Sequence, residues 1–239
     1  MVTMARTRAS HHRLPHPQGE HRWPAATALL VALAMYATLP SAFLPQIRVG
    51  VVVLGLILLV PVLITNPVRF SRQTRWSRLA SVIQATVLFT VNQVAIVVLV
   101  TMLVDPGADD GPRLLLSAAQ VWATNVIAVA LLLWEIDRGG PFARGKSERS
   151  KLLPADIRFP QDEDHDAIDE VAAQSSQKTN WRPAFIDYLY SSLSNSMAFS
   201  ASDSMPLSTR AKALFGLEAL SGFVILALVI ARAVSLLGG

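Results

Sequence analysis

The residues able to do chemistry in this chain sit mostly where water is scarce. Glu218 lies inside the apolar stretch Leu217-Glu218-Ala219-Leu220-Ser221-Gly222. A carboxylate facing hydrocarbon is expensive, so Glu218 is expected to face protein, either as a functional acid or as a hydrogen-bond partner of a neighbouring segment. Gln84, Asn92 and Gln93 fall in a second apolar run, and Gln120, Thr124 and Asn125 in a third. Their amides and hydroxyl are expected to bond between helices, which requires no conducting path. Upstream of the Glu218 run, a hydroxyl-rich segment carries Asp187, Tyr190, Ser191, Ser192, Ser194 and Asn195, followed by the polar stretch Ser200 to Pro206. Repeated around an axis, the Ser200 and Ser202 hydroxyls and the Asp203 carboxylate would attract cations.

Other constellations are weaker. His11, His12, His16 and His21 cluster near the N-terminus, but a stretch without supporting outer-shell groups makes a poor specific metal site. The acidic run of Asp162, Glu163, Asp164, Asp166, Asp169 and Glu170 lacks the central Gly and terminal Glu spacing of a calcium loop and reads as solvated surface. There are no cysteines, which excludes disulfides, thiolate metal sites and a Cys nucleophile. No nucleophile, base and orienting acid can be placed together, and no glycine-rich phosphate loop appears. An enzyme is not expected, nor is a cofactor.

The elements that must position these groups follow from composition. The chain is 52% hydrophobic and 16% charged, whereas soluble domains carry about 25% charged residues. The surplus apolar surface is expected to face a lipid bilayer. Five apolar runs, at 25–44, 49–65, 79–104, 114–135 and 207–236, have roughly the 17 to 25 residues that cross a bilayer as helix. A lipid-exposed backbone must satisfy its own hydrogen bonds, so the fold class is all-α, with about five transmembrane helices. The expected organisation is a basic disordered tail over 1–23, a four-helix region over 24–136, a polar connector over 137–180 and a C-terminal module over 181–239.

The basic residues set the orientation. Arg6, Arg8, Arg13 and Arg22 mark the tail, and Arg69, Arg72, Arg75 and Arg78 the link between the second and third runs, whereas the two other short turns hold one arginine each. Basic loops stay in the cytoplasm, which places the tail there and the chain in a cell membrane. Eight further Lys and Arg residues from Arg138 to Arg182 put the connector on the same side. The net charge of +4 is spread over these loops rather than interleaved with exposed aromatics, so nucleic acid is not an expected partner.

Between connector and last run, Phe185, Leu189, Leu193 and Met197 recur every four residues behind Pro183, the pattern of an amphipathic helix. It is short for a span, leaving an interfacial helix or a re-entrant one shielded by protein. The order helix, polar loop, spanning helix is that of a channel pore module, and the residues resemble the two-helix potassium-channel family. In that family Asp-x-Leu-Tyr-x-Ser opens the pore helix and a glycine-bearing filter followed by Asp-x-x-Pro comes next. Here Asp187, Leu189, Tyr190 and Ser192 match the first part, and Asp203 and Pro206 the second. The filter-equivalent loop reads Ala198-Phe199-Ser200-Ala201-Ser202-Asp203, with serines at both glycine positions and alanine at the tyrosine. Filter carbonyls need backbone conformations that glycine allows, so selective potassium conduction is not expected.

The whole chain also resembles a group of bacterial integral membrane proteins without assigned activity. They share a Trp-Glu-x-Asp-Arg-Gly-Gly-Pro stretch, here Trp134 to Pro141, and a second one matching Ser202 to Ser208. The resemblances imply a non-enzymatic scaffold, sensor or assembly protein with a degenerate pore module. The competing expectation is a weakly selective channel for monovalent cations, a homo-oligomer and by family implication a tetramer.

Overall fold

The computed structural model describes residues 20–39, 45–65, 75–105, 111–163, 166–197 and 203–237. The expected filter-equivalent residues Ala198 to Ser202, most of the tail and the short turns between the first four runs lie outside that set. Helices form at all five apolar runs: α1 (Trp23–Thr38), α2 (Pro45–Thr65), α3 (Arg75–Val104), α4 (Gly111–Ile136) and, at the end of the chain, α9 (Thr209–Leu237). Proline in the first turn of α1 removes an N–H that has no intrahelical partner anyway. The connector carries short helices α5 (Pro141–Lys146), α6 (Asp169–Ala172) and α7 (Ser176–Thr179), and the twelve-residue α8 (Phe185–Ser196) follows. Two strands, β1 (Ile157–Arg158) and β2 (Met205–Pro206), pair antiparallel, Ile157 opposite Pro206 and Arg158 opposite Met205.

The protein is thus an all-helical membrane protein. Among the described residues, three helical stretches are long and apolar enough to cross a bilayer: Trp76–Val104, Gly111–Gly139 and Thr209–Leu236. Of the expected first two spans, the first is a shorter apolar helix, Trp23–Thr38, and the second falls on α2, a 21-residue helix whose side chains are described over Arg48–Val60. At 1.5 Å per residue the 16 residues of α1 reach about 24 Å, against a hydrocarbon core of about 30 Å.

Helix α4 is the axis of the bundle. From Thr124 to Glu135 every residue is buried, because α1, α3, α8 and α9 all pack on it. Helix α1 runs antiparallel to α4: Arg22 and Ala25 share a hollow with Glu135, while Thr38 Oγ1 accepts a bond from Gln120 Nε2 (3.0 Å). Leu59 of α2 and Ser81 of α3 line that hollow too. Helix α9 starts beside the end of α4, with Arg210 reaching the Ile136 carbonyl, and finishes where Leu236 crowds Gly111. The starts of α1, α3 and α9 and the ends of α2 and α4 therefore gather at one end, which also carries the connector.

The polar residues of the apolar runs face one another. Asn125 Oδ1 accepts from Asn92 Nδ2 (3.0 Å) and Gln93 Nε2 (2.9 Å), Tyr36 donates to Asn92 (3.3 Å), and Ser221 donates to Gln93 (3.4 Å). Gln84 Nε2 donates to the Gly55 carbonyl (2.7 Å). This chain of side chains joins α1, α3, α4 and α9 through bonds made where no water competes.

Candidate functional site

The stretch Trp134 to Pro141 closes α4 and reverses the chain. Arg138, Gly139 and Gly140 take φ values of 51°, 85° and 92°. Left-handed backbone suits glycine, and at Gly140 a Cβ would also stand 3.0 Å from the Glu135 carbonyl. The reversal turns Arg144, only 2% exposed, back under the helix end. Its Nη1 donates to the Trp134 (2.8 Å) and Asp137 (2.7 Å) carbonyls, capping a helix C-terminus with a cation.

Asp137 is fully buried and is the node of this end. Its Oδ2 accepts from the Tyr188 hydroxyl (2.5 Å) and its Oδ1 from the Asp156 backbone N–H (2.7 Å). Asp156 in turn is gripped by the guanidinium of Arg210, Nε to Oδ1 at 2.7 Å and Nη2 to Oδ2 at 2.5 Å. One carboxylate therefore joins the end of α4 to α8 and to β1, and the next joins β1 to α9. Phe159 stacks edge-on against both Tyr188 and Trp181. The connector is a folded cap on the bundle rather than a loose link.

Asp162 departs from the solvated surface expected of the acidic run, whereas Glu163, Asp166, Asp169 and Glu170 are exposed. Asp162 bonds Arg138 (2.6 Å) and Arg149 (3.1 Å), and Glu163 pairs with Arg158. Asp162 is thus part of the cap's internal pairing, since Arg138 is itself buried and needs a counter-charge.

Helix α8 starts at the capped end, where the Ala184 N–H donates to Asp187 Oδ2 (2.7 Å), satisfying a first-turn donor. It then runs inward between α4 and α9. Ser192 Oγ reaches the Val126 carbonyl (2.8 Å) and Glu218 Oε1, its single proton serving one of them at a time. Asn195 Nδ2 donates to Glu218 Oε2 (2.9 Å) and to the Phe215 carbonyl (2.9 Å). The helix ends with Ser196 against Gly222, near the middle of α9. The chain then returns to the capped end, where Ser204 donates to Ser191 (2.7 Å) and β2 pairs with β1.

The apolar stripe of α8 is not its buried face. Phe185 is buried, but Leu193 and Met197 are 39% and 55% exposed, and the face turned to the bundle carries Tyr188, Ser191, Ser192 and Ser196. Ile186 and Tyr190 point outward with Leu193 and Met197. Hydroxyls and an amide on the inner face match the carboxylate and carbonyls of α4 and α9, while the apolar face meets the surroundings. That polarity is reversed from a water-soluble helix.

Of the residues singled out in the sequence, Ser192 and Glu218 meet directly. Asp187 stays at the rim as a first-turn hydrogen-bond acceptor, Leu189 packs on the core, Tyr190 is exposed, and Pro206 sits in β2. Asp203 is exposed. Asp137, Tyr188 and Arg144 were not singled out. Asn195 lies three residues after Ser192, one helical turn along the same face, and Asp137 is one turn past the last residues of an apolar helix. For Asp137 that position was the available signal, and nothing in the spacing marked Tyr188 or Arg144.

No family model, curated protein or solved structure matches this chain. The geometry alone therefore bears on what the site can do. Both oxygens of Glu218 accept bonds from α8, and 0% of the residue is exposed. The carboxylate holds a half-length helix in place.

Proposed function

We propose that this chain is a five-pass membrane protein whose α8 is a re-entrant helix, and that its C-terminal module is a non-conducting scaffold for assembly or sensing. The observation that carries this reading is the inverted polarity of α8. A helix that hides Ser191, Ser192 and Ser196 while presenting Ile186, Tyr190, Leu193 and Met197 suits a lipid or protein surround at membrane depth. The polar groups of Ser192 and Asn195 are spent on Glu218, Val126 and Phe215 of the same chain, whereas an ion path requires such groups to face a shared axis.

Five crossings are supported by the bundle's directions, since each successive apolar helix reverses and most of the described arginines collect at one end. By the positive-inside rule that end is cytoplasmic, so the tail, the connector and the mouth of the α8 excursion lie in the cytoplasm and Gly239 on the far side. This inverts the module relative to the potassium channels it resembles. A reporter fused after Gly239 that works only in the cytoplasm should be silent, and an active one overturns the orientation.

The functional test is electrical. Purified protein in planar bilayers should show no selective potassium current. Selective potassium passage refutes the scaffold reading, and a cation current abolished by Asp203→Asn would establish the alternative, an oligomeric pore lined by Ser and Asp.

A further inference from the structure

We propose that the cleft where the tail meets α5 and the start of α8 binds a phosphate-bearing anion through Arg144 and Arg182, and that the head group of an anionic phospholipid is its natural occupant. The cleft has a volume of about 450 Å³ and is walled by Glu20, Pro24, Arg144, Arg182 and Ile186, among others, within the size range of small-ligand sites. Two guanidinium groups are left short of partners there. Arg144 is 2% exposed, and its Nε and Nη2 are buried without a hydrogen-bond partner, as are Nε and Nη1 of Arg182. Buried guanidinium donors ordinarily meet a carboxylate or phosphate, whose oxygens fit their planar fork.

One anion already shows what this end accepts. Glu20 Oε1 takes bonds from the Phe185 N–H (2.6 Å) and Trp134 Nε1 (2.9 Å), with Oε2 3.7 Å from Arg144 Nη2. That carboxylate meets Arg144, which also feels Asp187 and Glu135, whereas Arg182 has no ion pair among the described residues, so the positive excess lies on the Arg182 side of the cleft. His21 also lines the cleft.

The position selects a lipid. Trp23 at the start of α1 is 55% exposed and Ile186 60% exposed, and an exposed Trp at a helix end marks head-group level. A phosphate seated between Arg144 and Arg182 would lie at that level, with its glycerol and chains running along Pro24 and Ile186. Basic pockets between helices on the cytoplasmic side bind anionic head groups by this chemistry.

The test uses the full chain in detergent, with phosphatidylglycerol, phosphatidylcholine or inorganic phosphate added, read by native mass spectrometry and by the thermal unfolding midpoint. Phosphatidylglycerol should remain bound and raise the midpoint, and phosphatidylcholine should do neither. Arg182→Gln should weaken that binding about tenfold, the loss of one charge-assisted pair. Arg158→Gln, at the same end but paired with Glu163 outside the cleft, should leave it unchanged. If Arg182→Gln does not fold, Arg182→Lys carries the same comparison with a smaller loss. Inorganic phosphate that raises the midpoint as well as phosphatidylglycerol, with the same Arg182 dependence, upholds the site but makes a free anion its occupant. Equal response to both lipids, or equal weakening by Arg182→Gln and Arg158→Gln, overturns the proposal.

Discussion

Gly222 sets how closely α8 approaches α9. A Cβ built there would stand 2.1 Å from the Ser196 carbonyl oxygen, which is backbone and cannot rotate away. Restoring an ordinary contact of 3.4 Å requires the end of α8 to retreat by about 1.3 Å, a shift large enough to stretch the Asn195 bond to Glu218 from 2.9 Å past hydrogen-bond range. Overpacking plus the loss of bonds to a buried carboxylate should cost Gly222→Ala about 2 to 5 kcal/mol. Gly216→Ala, on the same helix with open space around its Cβ, is the matched control and should be neutral or slightly stabilising. The natural chain has no cysteine, so Ser196→Cys supplies a single reporter thiol at a site 2% exposed, where the native hydroxyl bonds only within its own helix. Maleimide labelling at Ser196→Cys should be slow in the parent and faster in the Gly222→Ala background, with a lower unfolding midpoint. Equal labelling rates and equal midpoints for the Gly222 and Gly216 variants would refute the close-approach reasoning.

Other perturbations probe the capped end. Tyr188→Phe removes the donor to the fully buried Asp137 and should lower stability by about 1 to 3 kcal/mol, read by denaturant unfolding in detergent. Arg144→Met strips the cation from two carbonyls and from Glu20, and should cost about 3 to 5 kcal/mol because two buried helix-end carbonyls lose their donor and a partly buried carboxylate its counter-charge; a midpoint within error of the parent would disprove that. Burial raises the Glu20 pKa above its ordinary 4.5, against the lowering pull of Arg144. The folded state therefore holds this proton more tightly than the unfolded chain, and stability contributed by Glu20 declines as pH rises from about 4.5. Compared with Glu20→Gln, the parent should lose ground in thermal melts as pH rises above about 4.5, and a constant difference would show that Glu20 does not titrate with a raised pKa.

Much of the fold was legible in the chain. Apolar runs fixed where helices form because backbone in hydrocarbon has no other way to satisfy its hydrogen bonds, and Gly139-Gly140-Pro141 marked the end of α4 because left-handed backbone and a missing N–H are written in residue type. The positions of Gln84, Asn92, Gln93 and Asn125 inside apolar runs required that they face protein, and they do. Glu218 was equally visible as an acid needing a partner.

What the chain alone left open was which partners, and which way α8 faces. Its four-residue apolar spacing fits either face inward, since periodicity reports that a helix has two faces and says nothing of which solvent each one meets. Packing decided it: with Glu218 and the Val126 and Phe215 carbonyls as neighbours, the lower free energy lies with Ser192 and Asn195 inside and Leu193 and Met197 outside. The same holds for Asp137, Tyr188, Arg144 and Glu20, the last of which accepts from Phe185, 165 positions away. Each carries a hydrogen-bonding group whose worth depends on burial, and burial is a property of the folded bundle.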